Sequence, residues 1–206
     1  MINLLELDEL IKEAGKRAVA LRQELHRWPE LGNEEYRTAE RILSELSGLD
    51  IETKRMLKTG VVGSLKSSPG GKTVALRADM DALPITETVN LPFSSERKGL
   101  MHACGHDVHV AVLLGTAMVL SEIKDEINGN VKFIFQPAEE TTGGALRMIR
   151  KGCLEPKPDF ILGLHVKPDL PAGTVGIKYG KVHASSDMFQ ITVKGKHSHG
   201  AYPEEG

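Results

Sequence analysis

The sequence predicts an α/β sandwich with a largely parallel central sheet. Strand-like and helix-like segments alternate through the middle of the chain, apolar strands stop at ligand-type side chains, and no internal repeat or low-complexity tract breaks the order. Ligand sites in open α/β sheets gather at the carboxyl ends of strands, so the pattern that gives the fold also says where chemistry belongs. At 206 residues and 40% hydrophobic, the chain can bury a real core. Its formal charge of -2 and few aromatics give no reason to expect nucleic acid or an anionic membrane as a partner. Cys104 and Cys153 make no disulfide framework, which predicts a reducing, cytoplasmic setting. Residues 1–7 lack the basic region and apolar core of a secretory leader, and the longest apolar run is too short to span a bilayer.

Leu7, Leu10, Ile11, Ala14, Ala18, Leu21 and Leu25 recur at helical spacing and predict an amphipathic helix ending near Pro29. His26 and Trp28, at its end, read as packing and capping groups. A second helix runs from about Glu34 to Gly48, with Ala39, Ile42, Leu43 and Leu46 on one face. Strands are expected over Ile51–Thr53, Val61–Leu65 and Thr73–Arg77, separated by Gly- and Ser-rich turns. The last runs into Asp79 and Asp81, two carboxylates at a strand end, although Asp before a Pro-containing loop is more often turn chemistry. Residues 85–101 read as an irregular loop. A buried helix from His106 to Leu120 follows. Val131–Phe135 forms an apolar strand that stops at Gln136-Pro137-Ala138-Glu139-Glu140, where one glutamate can face inward while its neighbour reaches a reacting centre. Gly143-Gly144 opens a short helix closing near Gly152, and Cys153 reads as a core thiol. A buried strand over Phe160–Val166, carrying His165 near its end, and a further strand over Thr174–Tyr179 complete the pattern.

The densest stretch is His102-Ala103-Cys104-Gly105-His106-Asp107-Val108-His109. Cys104 and His106 would point about 200° apart on a helix, so they converge only if Cys104 lies in a loop ahead of the helix. The helix N-terminus there favours a thiolate. Three readings stay open: a helix start with packed histidines and cysteine, a cysteine nucleophile with a histidine base, and a metal site. The Cys-x-His spacing fits no zinc finger, so a metal site needs ligands from far along the chain.

Four segments together carry a resemblance: Arg77-Ala78-Asp79-Met80-Asp81-Ala82-Leu83-Pro84, the His102–His109 stretch, Gln136–Glu140 and Gly163-Leu164-His165. In this order they resemble the co-catalytic metallopeptidase family of aminoacylases and carboxypeptidases. The branch that is most similar comprises the amidohydrolases of N-acyl amino acids, such as hippurate hydrolase and the auxin-conjugate hydrolases. Leu21 to Gly32 resembles the same branch. The resemblance implies a zinc-peptidase-like fold in which Cys104, His106, Glu140 and His165 bind two divalent ions, zinc or manganese, with Cys104 as a candidate bridge. It implies Glu139 as general base. Asp79 and Asp81 are assigned support of the ligands, and His102, Asp107 and His109 support or packing.

Phe189, Ile191 and Val193 alternate as a strand ahead of Lys194-Gly195-Lys196-His197-Ser198-His199. This resembles the start of the family's smaller α+β lid, in which a histidine at the place of His199 contacts the substrate oxyanion in a partner subunit. The expectation is therefore a catalytic metal-binding domain over 1–182, the start of a lid or dimerisation domain over 183–206, and a homodimer. The family's chain continues through the lid to a further histidine ligand, so this chain is expected to be an amino-terminal fragment, inactive by itself. The leading expectation is a metal-dependent amidohydrolase that cleaves the amide bond of N-acyl amino acids, or of a related small amide or peptide, with metal-activated water. A non-catalytic metal-binding or dimerisation module is the alternative.

Overall fold

The computed structural model describes residues 2–182, 185 and 189–206. These fall into two compact units, Met1–Val166 and Lys167–Gly206. The expected domain boundary after residue 182 abuts residues 183 and 184, which lie outside the described residues.

In the first unit, helix α1 (Leu4–Arg27) begins at a capping box: Asn3 accepts from the Leu5 and Glu6 amides while Glu6 accepts from the Asn3 amide. Helix α2 (Tyr36–Ser47) and strands β1 (Glu52–Met56), β2 (Gly60–Lys66) and β3 (Thr73–Asp79) follow. Helix α3 (His106–Glu122) crosses over to β4 (Asn130–Gln136), and α4 (Gly144–Arg150) crosses over to β5 (Phe160–Gly163). The strand order is β1-β2-β4-β3-β5. The helical crossovers make β3 parallel to both β4 and β5, whereas β2 runs antiparallel to β1 and β4, so the sheet is mixed. No described helix is long and apolar enough to cross a membrane.

Side-chain alternation sorts the sheet into two cores. Val131, Phe133 and Phe135 of β4, with Val61 and Leu65 of β2, pack against Leu21 and Leu25 of α1, Ile42 and Leu46 of α2, and Val110 and Leu114 of α3. Ile134, Val62 and Ala75 point the other way, against Met148 of α4, Met56 and Cys153. Cys153 is thus a buried core thiol.

The carboxy-terminal strands differ from expectation. The Phe160–Val166 strand stops at Gly163, and its residues are exposed, Leu162 at 61%. Among the described residues it has a ladder partner, β3, on one side only. Residues 174–179 and 189–193 form no strand, and their alternating apolar side chains, Val175 and Phe189 among them, are exposed. An alternating pattern becomes a strand only when another strand takes its amides, and none does so among the described residues.

Candidate metal centre

The site lies where β3 and β4 end and α3 begins. Gly105, just ahead of α3, has φ 81°, and a Cβ built on it would lie 2.3 Å from Val166 Cγ2. Glycine is favoured there, since the left-handed conformation strains any other residue and the approach of Val166 leaves no room for a Cβ. That turn puts Cys104 in a loop beside His106, where both can face one point. Cys104 Sγ lies 3.3 Å from His165 Nε2. On the other side, His106 Nε2 lies 3.8 Å from Glu140 Oε1 and 3.6 Å from Asp79 Oδ2.

The ligand atoms of Cys104, His106 and His165 lie within 4.8 Å of one another, and so do those of His106, Glu139 and Glu140. The five residues named for the metal and the base therefore gather around His106. A third trio, Asp79, His106 and His109, meets the same distance limit, but its hydrogen bonds separate it from the others. The Val166 amide donates to His109 Nε2 at 3.0 Å, which makes that nitrogen the bare one and leaves Nδ1–H to donate to Asp79 Oδ1 at 2.6 Å. Both nitrogens of His109 are used. His165 is the converse case: its Nδ1 meets the Val166 carbonyl at 2.7 Å, and since a carbonyl only accepts, Nδ1 carries the proton and Nε2 keeps its lone pair facing Cys104.

Buried carboxylates hold the backbone that carries these groups. Asp81 accepts from the Glu139 amide at Oδ1 and the Glu140 amide at Oδ2, both at 3.0 Å. It is also 3.3 Å from His106 Nδ1, though misaligned for a hydrogen bond. Arg77 pairs with Asp79 at 2.7 Å. Burial would push the Asp79 carboxyl up, but His109, Arg77 and His106 together hold it down at about 2. Behind the site, Asp107 Oδ2 accepts from Arg22 and from His26 Nδ1, both at 2.8 Å, and His26 Nε2 lies 3.2 Å from Glu87. His26 thus ties the end of α1 to the first turn of α3. His102 is buried beside it and held neutral, its pKa pushed down to about 4 by desolvation.

The expectation of a thiolate at Cys104 is corrected. Burial, the hydrogen bond to Glu140, and the charges of Glu140, Asp79 and Glu139 push the thiol up to about 12. Burial and the carboxylates around the sulfur outweigh the helix terminus, so without a metal the proton stays on Cys104. Glu139 is raised by burial and then by Glu140 and Asp79. His106 is raised too: burial opposes its charging, but Asp81, Asp79 and Glu140 prevail.

This electrostatics describes a site short of positive charge. His106 Nε2 and Glu140 Oε1, 3.8 Å apart, are buried and have no hydrogen-bond partner among the described residues, so two potential ligand atoms face the same space unsatisfied. A thiol, two imidazoles and a carboxylate form a donor set suited to borderline divalent ions, and the residues present fit such an ion.

Sequence reasoning missed Glu35, which is buried and accepts from the Ala138 amide at 2.7 Å. The only signal was two adjacent glutamates before a helix, which ordinarily means a solvated first turn. His199 belongs to the second unit. It is exposed there, with the Ala201 amide donating to its Nδ1 at 3.2 Å and the Tyr202 ring 5.9 Å away.

The sequence model of peptidase family M20/M25/M40 matches residues 75–204, a span containing Cys104, His106, Glu139, Glu140 and His165. The chain belongs to the M20/M25/M40 family. Among family relatives, it is 47% identical over 189 residues to the N-acetylcysteine deacetylase of Bacillus subtilis, covering 91% of this chain and 50% of that protein. It is 42% identical over 202 residues to the N-acyl-L-amino acid amidohydrolase of Geobacillus stearothermophilus, covering 97% and 54%. A solved M20 structure from Bacillus subtilis, described as a dinuclear metal binding peptidase, superposes with a TM-score of 0.77 at 46% identity, over 82% of this chain and 48% of that one. The chain spans about half the length of the curated M20 relatives it matches.

Proposed function

We propose that the whole protein is a metal-dependent amidohydrolase that cleaves N-acyl amino acids to a carboxylic acid and a free amino acid. The observation that carries this reading is the convergence on His106 of Cys104 and His165 from one side and of Glu139 and Glu140 from the other. The deacetylase and amidohydrolase names of the relatives support the substrate class.

Cys104, His106, Glu140 and His165 would hold two divalent ions, zinc or manganese. Bound there, such ions supply Lewis acidity, lowering the pKa of water and polarising an amide carbonyl. Glu139 is the general base. Its carboxylate lies within 4.8 Å of the His106 and Glu140 ligand atoms. It takes a proton from the attacking water and returns it to the departing nitrogen, so no net proton is lost. Asp81 fixes the amides of both glutamates, and Asp79 with His109 fixes the Val166 backbone next to His165. We assign residues 1–182 to the catalytic region and 183–206 to the start of a lid. There His199 is the substrate-binding histidine, donating to the oxyanion in the partner subunit of a cytoplasmic homodimer.

In the whole protein, Glu139→Gln should keep its metal and lose turnover of an acyl amino acid by roughly 10²–10⁴-fold. Normal turnover in that variant refutes the base assignment. Metal bound by the unmutated protein without turnover on a panel of acyl amino acids would favour a non-catalytic module. Activity that survives a chelator but not a thiol reagent would restore the cysteine nucleophile.

A further inference from the structure

The geometry points to Glu35 as a positioning residue whose buried carboxylate grips the Ala138 amide and so sets how residues 137–140 present Glu139 and Glu140. The roles given to those two glutamates rest on the function proposed above.

Glu35 stands at the N-cap of α2 but does not cap it. Glu30 does that work, accepting from the Arg37 amide at 3.1 Å, the Thr38 amide at 2.8 Å and the Thr38 hydroxyl at 2.9 Å. The Glu35 side chain is thereby free to turn inward, where its relative exposure is 0%. Its Oε1 accepts from the Ala138 amide at 2.7 Å and its Oε2 from the buried Thr59 hydroxyl at 2.6 Å. Ala138 has φ 51°, a left-handed conformation that a non-glycine residue keeps only when its surroundings enforce it. The enforcing contacts continue along the backbone, because the next two amides, of Glu139 and Glu140, are held by Asp81. Three consecutive amides are thus pinned by two buried carboxylates.

Packing alone does not account for Glu35. A carboxylate buried with only neutral donors costs more than an apolar side chain of the same size, so a residue kept for stability alone would be apolar. Its acceptor oxygens are what the loop uses. The surroundings are built closely to the same end: a Cβ on Gly32 would lie 3.0 Å from Ala138 Cα, and one on Gly60 would lie 3.1 Å from Pro137 Cδ. The loop therefore has no slack through which to compensate for a lost Glu35 bond without moving Glu139 and Glu140.

The test uses Glu35→Ala, Glu35→Gln and Thr59→Val in the whole protein. It reads zinc affinity by chelator competition, kcat and KM for an acyl amino acid, and melting temperature. Glu35→Ala should lower zinc affinity about 10–100-fold. It should lower kcat about 100-fold, the cost of a displacement near 1 Å, with KM little changed. Glu35→Gln keeps an acceptor oxygen for Ala138 and should recover most of both losses, and Thr59→Val should fall between. Ile42→Val, a core change in α2 away from the loop, provides a destabilised control whose kcat and zinc affinity should stay at the parent values. If Glu35→Ala does not fold, Glu35→Gln and Thr59→Val decide. Parent-like kcat and zinc affinity in a folded Glu35→Ala, or in Thr59→Val when Ala fails, overturns the assignment. So does an equal loss in Ile42→Val. If the parent protein binds zinc but hydrolyses no acyl amino acid, the proposed function falls, and Glu35 is then judged on zinc affinity alone by the same criteria.

Discussion

Gly105→Ala tests the turn that brings Cys104 beside His106. At φ 81° an alanine pays a left-handed penalty of about 1–2 kcal/mol wherever its methyl goes. The methyl would also start 2.3 Å from Val166 Cγ2. Carbon atoms come no closer than about 3.5 Å at little cost, so Val166 or the turn must shift by about 1.2 Å (3.5 less 2.3). Val166 adjoins His165, so the shift separates that imidazole from the Cys104 sulfur now 3.3 Å away. A displaced supporting contact of this kind should weaken metal binding about 10–100-fold. The assay is zinc affinity by chelator competition, with urea unfolding measured on the metal-free protein. The two costs separate in a double variant. Val166 Cβ lies 3.8 Å from the added methyl, an ordinary contact, so Gly105→Ala with Val166→Ala removes the clash and keeps the backbone strain. Zinc affinity should return toward that of Val166→Ala alone, while stability stays lower by about 1–2 kcal/mol. Unchanged zinc affinity in Gly105→Ala, or no recovery in the double variant, would refute this reasoning.

Two further outcomes are expected. Replacing His109 by Ala removes the bonds to Asp79 and to the Val166 amide, and should cost zinc affinity about 10–100-fold with stoichiometry unchanged; loss of one whole equivalent would instead make His109 a ligand. His26 is raised by its hydrogen bond to Asp107, against desolvation, with Glu87 adding and Arg22 opposing, while His102 beside it is held neutral. A folded-state pKa above the unfolded value gives stability that is complete below about 6.5 and is lost as pH rises through the raised value. Urea unfolding of the metal-free protein should therefore show a stability loss across that window, to which His106, also raised, contributes, and His26→Gln should lessen it; an unchanged slope in the variant would count against the His26 assignment.

Much of the candidate site was legible because its residue types are rare in combination and sit where apolar strands run out. Asp79 closes β3, Glu139 and Glu140 follow β4, and Cys104 precedes α3, each where the change from apolar run to ligand-type residue placed it. The carboxy-terminal strands were less legible. Phe160–Val166 and Phe189–Val193 have the composition of strands, but composition does not supply the partner that takes their amides.

The sequence by itself determined the helices, the positions of the central strands along the chain and the set of residues able to bind a metal, because those follow from local periodicity and residue chemistry. Only the tertiary structure decided which histidine is free to act as a ligand. His109 and His165 are the same side chain, and the Val166 backbone tells them apart by donating an amide to one and offering a carbonyl to the other. It also decided the state of Cys104 without a metal, because its proton is held by burial and by the charges of Glu140, Asp79 and Glu139, at least 25 positions away in the chain. Protonation and tautomer depend on distances through space, and those are fixed only once the sheet and helices have packed.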